Sequence, residues 1–474
     1  MIFNTFAYFA LFLVPAAIVF RLVRPAFQPW TCLLFGAGFF VYFSLTQVGG
    51  APGAFCLAIF IWESIFSRFY RPRSWICLVG IAQTILFLVI FKYWNFFTGL
   101  VCAPLGRNPL FWRGAFLPLG ISFFTFEFIH YAVDRYRGTA PRGKFGEYLA
   151  FILFFPTMVA GPIKRYQDFR PKLIHPSLAW ETDWRQGITR ILAGLAKKFA
   201  VADLLTALTD HLNHADIAKA ARWVLPIWLL AYGMKIYADF SAYSDIAIGS
   251  ARLFGLRVPE NFDWPYLRTN IAQFWKHWHM SLYRWLVDYV FIPLGGSRTS
   301  PPRVYVNVLI TMLLSGLWHG AGLNFVVWGL WHGMLLCAYR LWSNWRQTPL
   351  ASATVPGPAL ITVAGLRMTG LEPVGPPRPL PVPAACPQLC AAGEVAETRT
   401  VRRPNAQVTE EAGWDNPKHQ VFSEHRQVPG EGPVSWCAKL AAWGLTFVLV
   451  NLGWAFFCMD LPTSLFFFRR LFLG

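Results

Sequence analysis

The chain has 474 residues, of which 55% are hydrophobic and 14% are charged, with a formal net charge of +18. Soluble domains carry about 25% charged residues, so the composition excludes an ordinary soluble protein and indicates a polytopic membrane protein. The basic residues flank apolar segments, as in "SRFYRPRS" at 67–74. They therefore fit positively charged cytoplasmic loops better than a nucleic-acid-binding surface.

Apolar runs recur along the chain and predict an all-α membrane protein with about nine to eleven spans, plus amphipathic or re-entrant helices. Several runs are short for a full span, so we expect some to be tilted, broken or covered by protein. The first run has no basic leader or small-residue cleavage site and is expected to be an uncleaved span. The predicted segments are 3–19, 32–45, 54–66, 75–91, 116–133, 148–163, 223–237, 304–317, 323–339 and 440–459.

Three further stretches differ from these spans. Residues 184–212 and 267–290 have a helical period but carry spaced basic residues, which predicts amphipathic helices at the interface or against the bundle. Residues 351–435 hold 13 of the 34 prolines, and this composition predicts a long, mostly disordered loop. We therefore expect a membrane core at 1–345, a proline-rich insertion at 346–435, and a final span with an amphipathic tail at 436–474.

Histidines within apolar segments are the main candidates for chemistry. His319 lies in "SGLWHG", inside residues 304–339, which contain no Asp, Glu, Lys or Arg. A neutral, oriented histidine can act as a general base on a hydroxyl group. On these residues alone, a structural histidine bonded to a carbonyl is the simpler interpretation, and the surrounding glycines, which permit a close backbone approach, weaken it only slightly.

The spacing of the histidines does not indicate a metal site. His277 and His279 would point to different sides of a helix, and His319 and His332 are 13 residues apart, which is no ligand signature. P-loop, GxSxG and dinucleotide motifs are also missing from the sequence. No metal is therefore expected.

Charged residues give two open interpretations. Asp239 and Asp245, in "YADFSAYSD", are proton-relay or ion sites, or else helix caps or scaffold residues, which we favour. Lys164 and Arg165, in "GPIKRY", belong to a phosphate-attracting loop near a cofactor mouth, or to an ordinary positive-inside loop, which the residues favour.

Long, ordered sequence blocks resemble the membrane-bound O-acyltransferase family, in particular its bacterial alginate O-acetyltransferase branch. The blocks include "FNTFAYFALFLV", "LPLGISFFTFEFIHYAVDRYRG", "FFPTMVAGPIKRYQDFRPKL", "YADFSAYSDIAIGSARLFGL", "FWKHWHMSLYRWLVDYVFIPLGGSR", "LLSGLWHGAGLNFVVWGLWHG" and "VNLGWAFFCMDLPTSLFFFRRLF". The resemblance covers most of residues 1–345 and 436–474. It departs from the family at 351–435, where either a true insertion or a disrupted segment replaces a short connection.

The resemblance implies a tunnel through the membrane with a histidine near its middle. By its position in "SGLWHG", His319 is that catalytic residue, and His279 in "FWKHWHMSL" is the second polar position, which supports the substrate or His319. His332 is interpreted as structural. Further tunnel-lining or supporting candidates are Trp318, Asp239, Trp278, Lys164 and Arg165.

The implied reaction moves an acyl group from a cytoplasmic donor such as acetyl-CoA to a hydroxyl outside. The acyl group is expected to be acetyl. The resemblance implies that the acceptor hydroxyl belongs to a partner protein or to a carbohydrate outside. A periplasmic SGNH-type acetyltransferase is expected to complete O-acetylation of an exported polysaccharide such as alginate or cellulose. The donor is a substrate, and no tightly bound cofactor and no nucleic acid are expected. The location implied is the lipid bilayer of the bacterial inner membrane, with several passes.

Three alternatives stay open. D-alanyl transfer to teichoic acid fits the same family and the same "WHMSL" block. A transporter or exporter would use the buried acids and histidines, but it should show two halves with similar hydropathy, and none is visible. A non-catalytic scaffold is the third alternative, if 351–435 marks a damaged gene.

Overall fold

The computed structural model describes residues 4–107, 120–159, 161–176, 180–347 and 435–473. The described residues contain nineteen α-helices and no strand beyond one isolated bridge between Phe262 and Trp278, which confirms the all-α prediction. Two units are distinguished, Met1–Asn344 with Pro417–Gly474, and Trp345–Asn416. The site lies in the first. The predicted insertion falls outside the described residues, apart from its ends at 346–347 and 435, so the domain boundaries stay a prediction.

The N-terminal part contains nine helices among the described residues. They are α1 (Val14–Leu22), α2 (Gln28–Phe43), α3 (Gly50–Phe66), α4 (Trp75–Leu88), α5 (Trp94–Cys102), α6 (Ile121–Arg137), α7 (Phe145–Ile152), α8 (Phe155–Met158) and α9 (Tyr166–Ile174). A π-helical turn, Val89–Tyr93, joins α4 to α5, so that Trp75–Leu105 is one long helical segment.

The remaining described residues contain ten helices. They are α10 (Trp180–Lys197), α11 (Asp203–Thr209), α12 (His214–Lys219), α13 (Val224–Leu253), α14 (Ile271–His277), α15 (Met280–Leu286), α16 (Pro301–His319), α17 (Leu323–Gln347), α18 (Trp436–Cys458) and α19 (Leu461–Phe472).

Four helical segments among the described residues are long and apolar enough to cross a membrane. They are Pro25–Thr46, Pro52–Phe69, Trp75–Leu105 and Trp436–Cys458. Tyr8–Leu22 is apolar but shorter. The four segments support a multi-pass protein, while the larger number of spans stays a prediction.

Two predicted helical segments are broken in the structure. The span predicted at 148–163 is wrong as one helix, because α7 ends at Ile152, Phe154 is extended, and α8 is a short helix with Pro156 in its first turn. The amphipathic helix predicted at 267–290 is also wrong as one helix. There the backbone of His279 adopts a left-handed conformation and separates α14 from α15.

The long helix α13 is packed closely against α10. A Cβ added to Gly187 would lie 2.8 Å from the Gly249 carbonyl oxygen, and one added to Gly194 would lie 2.7 Å from that of Ala242. Small residues at these positions let the two backbones approach, as in many membrane helix pairs. The basic face of α10 is thereby held against α13.

Among the residues that the structure describes, the buried apolar side chains form two large clusters and one small one. The large clusters fill the N-terminal helices and the region between α13 and α18. The small cluster joins α6 to α15 through Phe126, Leu282 and Trp285, and Trp318 from α16 packs against it. Trp318 is the predicted site residue that this small cluster holds.

Candidate functional site

His319 is the last residue of α16, and the next residue, Gly320, is extended with φ −166°. The next helix, α17, packs directly against α16. A Cβ added to Gly329 would be 2.5 Å from the Met312 carbonyl oxygen, which leaves room only for glycine. The close contact of the two backbones fixes where α16 ends and therefore where His319 is held.

Aromatic rings from three helices surround the half-buried His319 imidazole. Its centroid lies 4.7 Å from Trp318 on α16, 5.2 Å from Trp328 on α17 and 4.9 Å from Phe457 on α18. All three rings meet it edge-on, with interplanar angles of 65–81°. Since a ring edge carries partial positive charge and a ring face negative charge, edge-on contacts of this kind are favourable and restrict the orientation of the imidazole.

His279 is held in an unusual backbone conformation at the start of α15. Its φ of 44° and ψ of 56° are left-handed, a region that non-glycine residues rarely adopt and that is enriched at functional sites. The side chain is 2% exposed, and neither ring nitrogen has a hydrogen-bond partner among the described residues. Buried polar atoms without partners are costly, so this imidazole is suited to bonding a substrate or water.

Trp318 brings the two predicted histidines together. Its ring centroid is 4.7 Å from that of His319 and 5.9 Å from that of His279. On its other side it packs on Phe123 and Phe126 of α6. The predicted trio of His319, His279 and Trp318 therefore forms one cluster, while the chemical role of each stays a prediction.

A polar network that the sequence interpretation missed holds the backbone next to His279. The Asn261 carbonyl accepts from the Met280 amide at 2.9 Å, and its side-chain oxygen accepts from the Ser281 hydroxyl at 2.7 Å. The Asn261 amide donates to the Ser244 hydroxyl at 3.1 Å. Ser281 in turn accepts from the Ile163 amide at 3.0 Å. No sequence signal marked Asn261, because its partners are distant in the chain.

Trp278 lies in the aromatic core behind the cluster. It stacks on Phe274 at 5.5 Å and lies 5.1 Å from Trp454. Trp454 stacks on Trp328, which contacts His319. Trp278 is thus linked to His319 through Trp454 and Trp328, but the structure describes no contact between Trp278 and the imidazoles of His279 or His319. Its supporting role stays a prediction.

His332, on α17, is fully buried between tryptophans of α14 and α17. Its ring lies 5.0 Å from both Trp275 and Trp328. A Cβ added to Gly453 would be 2.5 Å from the His332 Nε2 atom. The tight fit leaves little space beside that nitrogen, which agrees with the structural interpretation of His332.

The predicted basic loop is partly internal at Lys164, while its interpretation as a positive-inside loop stays a prediction. This lysine is 2% exposed and its ammonium lies 2.5 Å from the Glu127 carboxylate of α6. It also lies over the Phe151 ring, 4.5 Å from its centroid. Arg165 forms an ion pair with Asp288. Both charges are therefore paired with carboxylates in the structure.

The helix-cap interpretation of Asp239 and Asp245 is wrong, because both lie in the interior of α13. Asp245 pairs with Arg190 at 2.7 Å and with Lys197 at 2.5 Å, and Asp239 lies 3.0 Å from Lys198. The basic residues of the predicted amphipathic segment are therefore counter-ions for α13. This arrangement agrees with the scaffold alternative for both aspartates.

These features define a class: a multi-pass helical membrane protein whose interior brings two histidines to one tryptophan. Residues 54–361, more than half of the chain, match the membrane-bound O-acyltransferase family. The chain belongs to that family, as its sequence blocks predict.

The chain is similar to several named members of the family. It is 39% identical to a probable alginate O-acetylase AlgI of Pseudomonas aeruginosa over 282 residues, 58% of this chain and 52% of that protein. It is 33% identical to a peptidoglycan O-acetyltransferase of Helicobacter pylori, over 57% of this chain and 56% of that protein. It is 27% identical to a teichoic acid D-alanyltransferase of Bacillus subtilis, over 62% of this chain and 77% of that protein. The chain spans about half the length of the first two relatives.

Proposed function

We propose that this protein transfers an acetyl group from a cytoplasmic donor, such as acetyl-CoA, across the bacterial inner membrane for O-acetylation of an exported polysaccharide. The observation that carries the proposal is the convergence of His319 and His279 on Trp318 in a member of an O-acyltransferase family. Acetyl is preferred to D-alanyl because the O-acetylating relatives are 33–39% identical, against 27% for the D-alanyltransferase. Alginate and cellulose are the polymers proposed.

In the proposed reaction His319 acts as a general base. It accepts the proton of the acceptor hydroxyl while that oxygen attacks the thioester carbonyl carbon. A C–O bond forms, the C–S bond breaks, and the proton passes to the departing thiolate, which restores neutral His319. A positioned base contributes a rate factor of about 10²–10⁴. In the alternative mechanism His319 polarises the thioester carbonyl instead.

His279 is proposed as the supporting group. Its two buried ring nitrogens lack partners among the described residues, so a hydroxyl or carbonyl of the substrate would satisfy one of them. The periplasmic acceptor is proposed to be an SGNH-type acetyltransferase, which completes transfer to the polymer. These roles rest on the geometry around Trp318 and on the family membership.

The test is the variant His319→Ala in a host that lacks its own copy of the gene. We expect the O-acetyl content of the exported polysaccharides, measured by mass spectrometry, to fall to the level of the gene deletion. Membrane abundance, measured by immunoblotting, should stay at the wild-type level. The matched control is His211→Ala, since His211 is exposed, pairs with Asp216 at 3.0 Å and stacks on Trp228, away from the three residues of the cluster. Normal acetylation in the His319→Ala strain would refute the proposal.

D-alanyl transfer is the second candidate function, favoured by the similarity to the B. subtilis D-alanyltransferase. The same strains are therefore assayed for ester-linked D-alanine released from the cell envelope by mild base. Loss of D-alanine with unchanged O-acetyl content would replace the first function by the second. Loss of neither, with altered export of polymer, would favour a transporter.

A further inference from the structure

Lys92 and Tyr93 reach from the long segment Trp75–Leu105 to the end of the His319 helix. The Lys92 ammonium donates to the carbonyl of Trp318 and, at 3.3 Å, to the hydroxyl of Ser122. The Tyr93 hydroxyl donates to the carbonyl of Leu317 at 2.5 Å. Two neighbouring side chains thus bind the two carbonyls that immediately precede His319.

The end of α16 needs such partners. The last four carbonyls of any α-helix have no acceptor role within the helix, and at Gly320 the backbone of α16 becomes extended. Leu317 and Trp318 supply two of these four carbonyls. A cation at a helix C-terminus is also stabilised by the helix dipole. Lys92 therefore supplies both a donor and a favourable charge.

Placing the charged Lys92 side chain within an apolar segment costs free energy, so its contacts must offset that cost. A lysine within an apolar span is expensive and usually faces the protein interior, and among the described residues no carboxylate forms an ion pair with it. It lies in the π-helical turn Val89–Tyr93. This turn is one of five π-helical segments among the described residues, and of these it is the one that contacts the end of α16 through Lys92 and Tyr93. The turn presents residues 92 and 93 together toward α16.

We propose that Lys92 and Tyr93 are positioning residues that clamp the last turn of α16 and so fix Trp318 and His319 relative to His279. The clamp acts through backbone carbonyls and touches no substrate. Its catalytic consequence rests on the proposed function, whereas its effect on the helix end does not. Both effects are measurable on the full-length protein.

Hydrogen–deuterium exchange on the purified protein in lipid nanodiscs tests the clamp itself. Lys92→Met removes a charged hydrogen bond, so amides at 316–320 should exchange about tenfold faster or more. Tyr93→Phe removes one hydroxyl and should raise exchange at the same amides about threefold or more. Lys92→Arg, which keeps the charge and the donors, should restore most of the protection. Lys219→Met, at an exposed position on α12, is the matched control.

Acyl-transfer kinetics on the same samples test the consequence. We expect kcat to fall about 10- to 100-fold in Lys92→Met, with KM for the acyl donor nearly unchanged, and to recover partly in Lys92→Arg. Unchanged exchange in both Lys92→Met and Tyr93→Phe would overturn the clamp. Faster exchange with unchanged kcat would overturn its positioning role.

Two outcomes separate this inference from the proposed function. If wild-type protein transfers no acyl group while exchange at 316–320 responds to the variants, the proposed function fails and the clamp stands. If Lys92→Met does not fold, Tyr93→Phe decides, since it removes a single oxygen atom from a residue that is already buried.

Discussion

The buried ion pair between Lys164 and Glu127 makes a quantitative prediction about stability. The two charges are 2.5 Å apart and their side chains are only 2% and 7% exposed. Lys164→Met fills a similar volume but leaves the Glu127 carboxylate buried without its counter-ion. One of the Glu127 oxygens already has no hydrogen-bond partner among the described residues, so no local group compensates.

The expected magnitude follows from this burial. Removing one partner of a buried ion pair costs about 3–5 kcal/mol. Loss of the ammonium from above the Phe151 and Phe169 rings, 4.5 and 5.6 Å from their centroids, adds to the cost, by about 0.5–2 kcal/mol for a cation–π contact. The double variant Glu127→Leu/Lys164→Met leaves no unpaired charge. It should be more stable than Lys164→Met, because replacing both charges by apolar groups is often close to neutral.

The assay is unfolding of the purified protein by sodium dodecyl sulfate in mixed micelles, supported by thermal midpoints. The matched control is Lys219→Met, at an exposed lysine. The reasoning is refuted if Lys164→Met is no less stable than Lys219→Met. It is also refuted if the double variant is less stable than Lys164→Met, since the cost would then come from lost packing and not from the unpaired charge.

Two further predictions concern the site. Gly329→Ala puts a Cβ 2.5 Å from the Met312 carbonyl oxygen, so the thermal midpoint should fall well below that of Gly444→Ala, whose added Cβ meets nothing within 4 Å. Equal midpoints would contradict the close packing of α16 on α17. His279→Asn should keep the fold, because Asn tolerates the left-handed backbone, while acyl transfer falls about 100-fold through lost positioning. Full transfer by folded His279→Asn protein would exclude a role for the imidazole.

The helical architecture was predictable because bilayer-length apolar runs have few other structures available. The segments 32–45, 54–66 and 75–91 fall within helices that meet the requirements of a span, and so does 440–459 except for its last residue, Met459. The breaks were harder to predict. The run "FWKHWHMSLYRW" has a helical composition, and its interruption at His279 accompanies hydrogen bonds from Met280 and Ser281 to Asn261, about 20 residues earlier.

Charged residues show the same dependence on distant partners. "YADFSAYSD" resembles a turn, yet it continues α13, where Asp245 finds Arg190 and Lys197 about 50 residues earlier. Lys164 resembles a loop residue, yet Glu127 on α6 draws it into the interior. A sequence shows that a charge in an apolar setting is costly, but it does not show which group offsets the cost. Only the fold supplies that pairing.

The pairing also separates structural from functional polar groups. Lys164 and Asp245 have their charges matched within the protein, whereas His279 and His332 have buried ring nitrogens without partners among the described residues. His332 is closed off by the backbone at Gly453. His279 instead shares the Trp318 ring with His319. An unsatisfied imidazole next to a second one is the arrangement on which the proposal of chemistry at His279 and His319 rests.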